Sequence, residues 1–168
     1  MKEKEKEMKK IKLNSSEVEL ALNTASKRFI GNLKMGKGFS YGYQGDYKKQ
    51  LGDSFLGALG EVAYAAATNS FYNVSYTDNL ERYTDSDFQN NIEIRCQEKK
   101  DYNFLLIRPG EKKGKYILII HEGDYEFSIM GWFPFVSDMP ERLTNFGYQN
   151  RPAVYKVDIK ELYNLNDL

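Results

Sequence analysis

The stretch KYILIIH, residues 115–121, constrains the fold more than any other. Side chains of a strand alternate between its two faces, and here both faces are apolar. Such a strand must be covered on both sides, so it is read as central in a sheet. Three further strand-like segments surround it: NIEIRCQ (91–97), NFLLIR (103–108) and EFSIMGWF (126–133). They are separated by KKDY, PGEKKG and EGDY, and the last two are good hairpin turns. The four segments are therefore predicted to form an antiparallel meander. PFVSDMPERLTNFGYQNRP (134–152) reads as a loop with one helical turn, AVYKV (153–157) as a last strand, and DIKELYNL (158–165) as a short helix capped by Asp158.

Helical periodicity lies upstream. SSEVELALNTASKRFIGNL (15–33) has Ser at a plausible N-cap, Val18, Leu22, Ala25 and Phe29 at helical spacing, and Gly31 or Gly36 as stops. GDSFLGALGEVAYAAATNS (52–70) predicts a second helix, capped by Asp53 or Ser54 and closed by Asn69. Its core stripe is Phe55, Leu59, Val62 and Ala66. The remaining positions are nearly all Gly or Ala, which suits close approach to another backbone. Glu61 is a lone carboxylate in that setting, hence either paired or functional. Between the helices, MGKGFSYGYQGDYKK (35–49) reads as a long loop whose Tyr and Lys residues could stack on bases and hold phosphates, or simply lie on the surface. FYNVSY (71–76) could be a short strand, and TDNLERYTDSD (77–87) is an acidic loop.

The chain has 168 residues, 41% hydrophobic and 29% charged, which fits one globular domain. The expected fold class is α/β (α+β): a mixed, mainly antiparallel sheet flanked by helices. Residues 1–14, beginning MKEKEKEMKK, read as a charged tail or helix extension, and 15–168 as the domain. No apolar run is long enough to cross a bilayer, and the charged N-terminus is unlike a secretory signal. One cysteine, Cys96, excludes an internal disulfide framework and fits a cytoplasmic location; it reads as a small core residue. Lys+Arg and Asp+Glu both total 24, so no global basic field is present and any nucleic-acid contact must be local. With His121 as the single histidine, a Cys/His zinc site is excluded. His121 ends an apolar strand and is read as structural. A metal site would need oxygen ligands, pointing to Mg²⁺ or Mn²⁺.

Within NIEIRCQEKK, Ile92, Ile94 and Cys96 alternate with Glu93, Arg95, Gln97 and Lys99. One reading is a half-exposed strand with ordinary cross-strand ion pairs. The other is a catalytic strand. Asp85 and Asp87 lie just upstream, where a turn could bring one of them beside Glu93. Converging carboxylates can bind Mg²⁺, which polarises a phosphoryl oxygen and lowers the pKa of bound water. A cation two residues on, at Arg95, can hold developing negative charge.

An Asp, a short gap, then Glu-x-Lys on a strand, preceded by a helix carrying a Glu, is the signature of the PD-(D/E)XK nuclease superfamily. The chain resembles small phage and bacterial proteins of that restriction-endonuclease-like group over about residues 52–158. The stretches carrying the resemblance are Gly57-Ala58-Leu59-Gly60-Glu61-Val62-Ala63, Asp87 followed by Glu93-Ile94-Arg95, Leu105 to Gly110, and Gly131-Trp132. It implies a restriction-endonuclease-like core and metal ligands at Glu61, Asp87 and Glu93. Arg95 stands where the superfamily has lysine; it stays charged and holds phosphate oxygens, but it is a poor proton acceptor. Lys99, on the same face roughly 13 Å further along by strand rise, is too far to replace it. Two functions follow as expectations. The first is a Mg²⁺-dependent endonuclease or exonuclease acting on DNA, with substrate contacts from Lys37, Tyr41, Tyr43, Lys48, Lys49, Lys99 and Arg108. The second is a catalytically inactive nuclease-fold protein, phage or prophage encoded, that binds nucleic acid or a host protein, for example as an anti-defence inhibitor.

Overall fold

A computed structural model describes residues 8–34, 46–70, 72, 87–99, 104–146 and 152–168. Two helices, α1 (Ser15–Lys34) and α2 (Tyr47–Thr68), accompany seven strands: β1 (Lys9–Lys12), β2 (Ile92–Glu98), β3 (Phe104–Ile107), β4 (Gly114–Gly123), β5 (Glu126–Phe135), β6 (Leu143–Thr144) and β7 (Val154–Asp158). The fold is mixed α+β and forms one domain.

The strands make two sheets, ordered β1-β5-β4-β2 and β3-β7-β6. KYILIIH is central as predicted, and its two faces fill two separate cores. Ile117 and Ile119 join Ile92, Ile94, Phe127 and Ile129 under the helices. Tyr116, Leu118 and Ile120 face the other way, against Leu105, Ile107, Tyr155 and Val157 of the second sheet. Helices therefore cover one face of the larger sheet and strands cover the other. The expectation of a sheet flanked by helices is corrected on that second face.

The meander is corrected too. Only β4 and β5 form a hairpin, through the EGDY turn, where Gly123 and Asp124 take the positive φ that the turn requires. β2 pairs with β4 in parallel, Glu93 opposite Tyr116 and Arg95 opposite Leu118. Parallel neighbours need a crossover of a dozen or more residues, and residues 99–113 supply it. β3 lies in that crossover and pairs with β7 instead. PGEKKG thus joins two sheets.

Lys9–Lys12, expected in a charged tail or helix extension, form an edge strand antiparallel to β5. Leu13 follows into the core. The α1 cap is Asn14, not Ser15: its side chain accepts from the Glu17 N–H, and the Glu17 carboxylate accepts from the Asn14 N–H. Ala21, Thr24 and Ala25 form the buried stripe, Leu22 is exposed, and Gly31 lies inside the helix. α2 begins before its predicted start, at Tyr47. Asp46 caps it by accepting from the Lys48 and Lys49 N–H groups, and Asn69 closes it in the left-handed conformation as predicted. The last strand stands as predicted, whereas DIKELYNL holds a 3-10 turn at Ile159–Glu161, and a second turn, Leu165–Asp167, begins at its last residue. Among the described residues no helix is long and apolar enough to cross a membrane.

Candidate functional site

α2 packs on β2 through its small residues. A Cβ added to Gly60 would lie 2.4 Å from the Cys96 Cβ, so only glycine permits this approach. The contact places Glu61 at the junction of α1, α2 and β2. Glu61 is 6% exposed and fully engaged. Arg28 from α1 donates to both carboxylate oxygens, at 2.7 and 2.8 Å, and the Tyr72 hydroxyl donates to Oε2 at 2.8 Å. Burial alone would lower the Arg28 pKa, but the hydrogen bonds and charge of Glu61 outweigh it and raise it. Burial and the Glu61 charge together push the Tyr72 hydroxyl up. This is a bidentate ion pair with a third donor, a saturated arrangement.

Asp87 reaches the strand by a tight turn. Asn90 and Asn91 both adopt positive φ, which Asn tolerates better than most residues, and Phe88 bridges back to Ile92. The reversal sets Asp87 Oδ2 2.7 Å from the Ile94 N–H, which donates to it. Burial, then the charges of Glu61 and Glu93, push the Asp87 carboxyl up to about 7, against the Ile94 hydrogen bond and the Arg95 charge. The three carboxylates predicted from sequence therefore share one electrostatic neighbourhood, with Asp87 as the member that senses both others. Asp85 lies outside the described residues.

Glu93 faces the second sheet and is as buried as the isoleucines beside it, 7% exposed. The strict alternation in sequence is thus not an alternation in solvent exposure at its start. Lys112 Nζ lies 3.0 Å from Glu93 Oε1, and Arg95 Nη1 3.8 Å from Oε2. The Lys112 contact is an ion pair outside hydrogen-bond geometry, so among the described residues Oε1 accepts no hydrogen bond. Arg95 is committed elsewhere: Nη2 donates to Glu111 at 2.5 Å, Nη1 to the Ile94 carbonyl at 3.1 Å, and the guanidinium sits over the Tyr116 ring at 5.0 Å. Arg108 comes within 4.0 Å of Glu111 and stays exposed.

The remaining predicted contacts fall apart from this cluster or outside the described residues. Lys99 lies at the far end of β2, roughly 20 Å along by strand rise, ion-paired with Glu122 at 2.6 Å. Lys48 and Lys49 stand exposed in the first turn of α2, not in a loop. Lys37, Tyr41 and Tyr43 belong to the residues not described. His121 has the partner the sequence did not reveal: Nδ1 is 3.1 Å from Glu98, and Nε2 2.8 Å from the Asp124 carbonyl. Cys96 is packed against Gly60, and burial pushes its thiol up, away from nucleophilic use.

Sequence reading missed Arg28, Glu111 and Lys112. Arg28 had a signal, since it continues the Ala21 and Ala25 spacing onto the buried face of α1. Glu111 and Lys112 had none, because turn residues carry no periodicity.

Among the described residues, no group of three or more His, Cys, Asp or Glu side chains is arranged to hold a metal. Glu61 is occupied by Arg28 and Tyr72, and Glu93 is ion-paired with Lys112 and Arg95, so a cation at Asp87 and Glu93 would have to displace Lys112. Mg²⁺ commonly takes one or two carboxylates and completes its shell with water and phosphate, so Asp87 and Glu93 are the donor types it would use. No family model matches the chain, and neither does any curated protein or solved structure.

Proposed function

We propose that this chain is a metal-dependent nuclease-fold protein that hydrolyses DNA phosphodiesters, with a restriction-endonuclease-like core. Asp87 and Glu93 would hold Mg²⁺ or Mn²⁺. The supporting observation is Glu93: a buried carboxylate with one oxygen that accepts no hydrogen bond, beside an Asp folded back onto the same strand. The carboxylate is balanced by the Lys112 ammonium at 3.0 Å and Arg95 at 3.8 Å, so a metal ion would bind by displacing Lys112 from Oε1.

Bound Mg²⁺ would polarise a phosphoryl oxygen and acidify a water. The chain's own residues do the rest. The Ile94 N–H orients Asp87, and the Asn90-Asn91 turn fixes it there. Arg28 and Tyr72 hold Glu61 rigidly behind it, as a charge that tunes Asp87. Arg108, exposed beside the cluster, is placed to meet a phosphate backbone. In the net reaction a water oxygen bonds to phosphorus, the ester P–O bond breaks, and the leaving oxygen takes up a proton.

The test is cleavage of plasmid and single-stranded DNA with Mg²⁺ or Mn²⁺ by the native protein and by Glu93→Gln. Loss of activity by at least 100-fold in the variant, with an unchanged melting temperature, is the expected result. Native protein that is folded, binds no Mn²⁺ and cuts neither substrate would discard this reading. A second reading has an observation of its own. Arg28 places a permanent cation on Glu61, as a protein that had given up a metal ligand would. The fold would then bind nucleic acid or a host protein without cleaving, and Glu93→Gln would leave that binding unchanged.

A further inference from the structure

We propose that the exposed flank of α1 docks a second copy of this chain, antiparallel to the first and about a two-fold axis at Ser26. The inference stands apart from the nuclease reading. α1 is buried against the rest of the domain along Ala21, Thr24 and Ala25. Its larger apolar residues do not follow that stripe. Leu22, Ile30 and Leu33 are 45%, 49% and 46% exposed, and Phe29 is half-buried beside Tyr47. A helix turns once every 3.6 residues, so Leu22, Phe29 and Leu33 fall within about 40° of one another on its surface. They form a second apolar stripe, next to the buried one. Apolar residues exposed singly are ordinary, whereas a continuous line of them marks an interaction surface.

The spacing says what kind of partner fits. Glu19, Leu22, Ser26, Phe29 and Leu33 follow one another at intervals of three, four, three and four. That is the seam along which one helix packs lengthwise on another. Ser26, small and half-buried, lies at its midpoint and lets two helices approach closely. Charge then sets the direction. Glu19 is exposed near the start of the seam, and Lys34 is exposed at its end. In an antiparallel pair centred on Ser26, Leu22 of each copy meets Ile30 of the other. Glu19 of each copy meets Lys34 of the other, which gives two equivalent ion pairs. A parallel pair would set Glu19 against Glu19 and Lys34 against Lys34, two repulsions. The flank is therefore self-complementary in the antiparallel sense, as an isologous interface requires. One helix per copy is a small contact, so dissociation is expected at roughly 10–100 µM.

Sedimentation equilibrium of the full chain at about 5 to 500 µM tests this. The proteins are native, Leu22→Glu, Ile30→Lys, Glu19→Lys and Lys34→Glu, each checked for an intact melting transition. All four positions are exposed. Native protein should dimerise, and whichever of Leu22→Glu and Ile30→Lys stays folded should remain monomeric throughout. Each charge reversal turns two attractions into two repulsions and should weaken the dimer about 5- to 30-fold. Mixing Glu19→Lys with Lys34→Glu should restore the native affinity, because the mixed dimer regains both ion pairs. Native protein that stays monomeric to about 500 µM would overturn the proposal and leave this flank to a different occupant. A native dimer that survives Leu22→Glu or Ile30→Lys would overturn it by placing the interface elsewhere. A dimer that needs Leu22 yet ignores both charge reversals would overturn the antiparallel arrangement.

Discussion

Two buried glutamates lie on either side of β2, and they could hardly be treated more differently. Glu61, on the helix side, receives three hydrogen bonds and a full counter-charge. Glu93, on the sheet side, is equally buried but is held by ion pairs, with Lys112 at 3.0 Å and Arg95 at 3.8 Å, and its Oε1 accepts no hydrogen bond among the described residues. Burial by itself therefore says little about role. What separates the two glutamates is the kind of partner each has, hydrogen-bonding donors at Glu61 and looser ion pairs at Glu93. Asp87 feels the charges of both, which together with burial push its carboxyl up to about 7.

The largest effect should come from breaking the saturated side. Arg28→Met leaves Glu61 buried without its counter-ion and should cost about 3–5 kcal/mol, read by urea unfolding. Replacing both partners with apolar residues should recover most of that loss. Next comes Asp87→Asn, whose effect depends on pH. The native carboxyl titrates near 7 in the fold and near 4 when unfolded. The folded state thus binds the extra proton between those values, and Asp87 erodes stability as pH rises from about 4 to 7. The Asn variant escapes that loss. It should be more stable than native protein by about 2 kcal/mol at pH 8 and indistinguishable from it below about pH 4. Mg²⁺ should narrow the gap at pH 8 by stabilising only the native protein. An equal gap at both pH values would remove Asp87 from between the two glutamates. Smallest is Gly114→Ala, which pushes a Cβ into the Asn91 carbonyl. It should cost about 1–3 kcal/mol in thermal melts and lower Mn²⁺ affinity more than it lowers stability.

The two sides also differed in how legible they were. Apolar periodicity disclosed both helices, the central strand and the 92–98 strand, because burial selects residue type at regular intervals. Glu61, Asp87 and Glu93 were singled out by the resemblance of their surrounding motifs, not by period, and the sequence offered no sign that Asn90 and Asn91 form the turn that carries Asp87. It could not show that β3 leaves the sheet. Sequential strands usually pair, and nothing in FLLI records which sheet its apolar face will meet. Nor could it show that Lys9–Lys12 are a strand, since KKIK has one apolar residue and its pairing partner is β5. The partners Arg28, Glu111 and Lys112 arise from tertiary contact alone, which composition and period do not encode.

The β1–β5 pairing has a consequence for how the chain is made. Lys12 lies opposite Glu126, so β1 can find its neighbour only once β5, far along the chain, has been made. Closing so long a segment is slow compared with hairpin formation. The local β4–β5 pairing is therefore expected to form faster than the long-range β1–β5 pairing. A β5 that has not yet met β1 offers an open edge, which the lysines of β1 cover in the folded sheet.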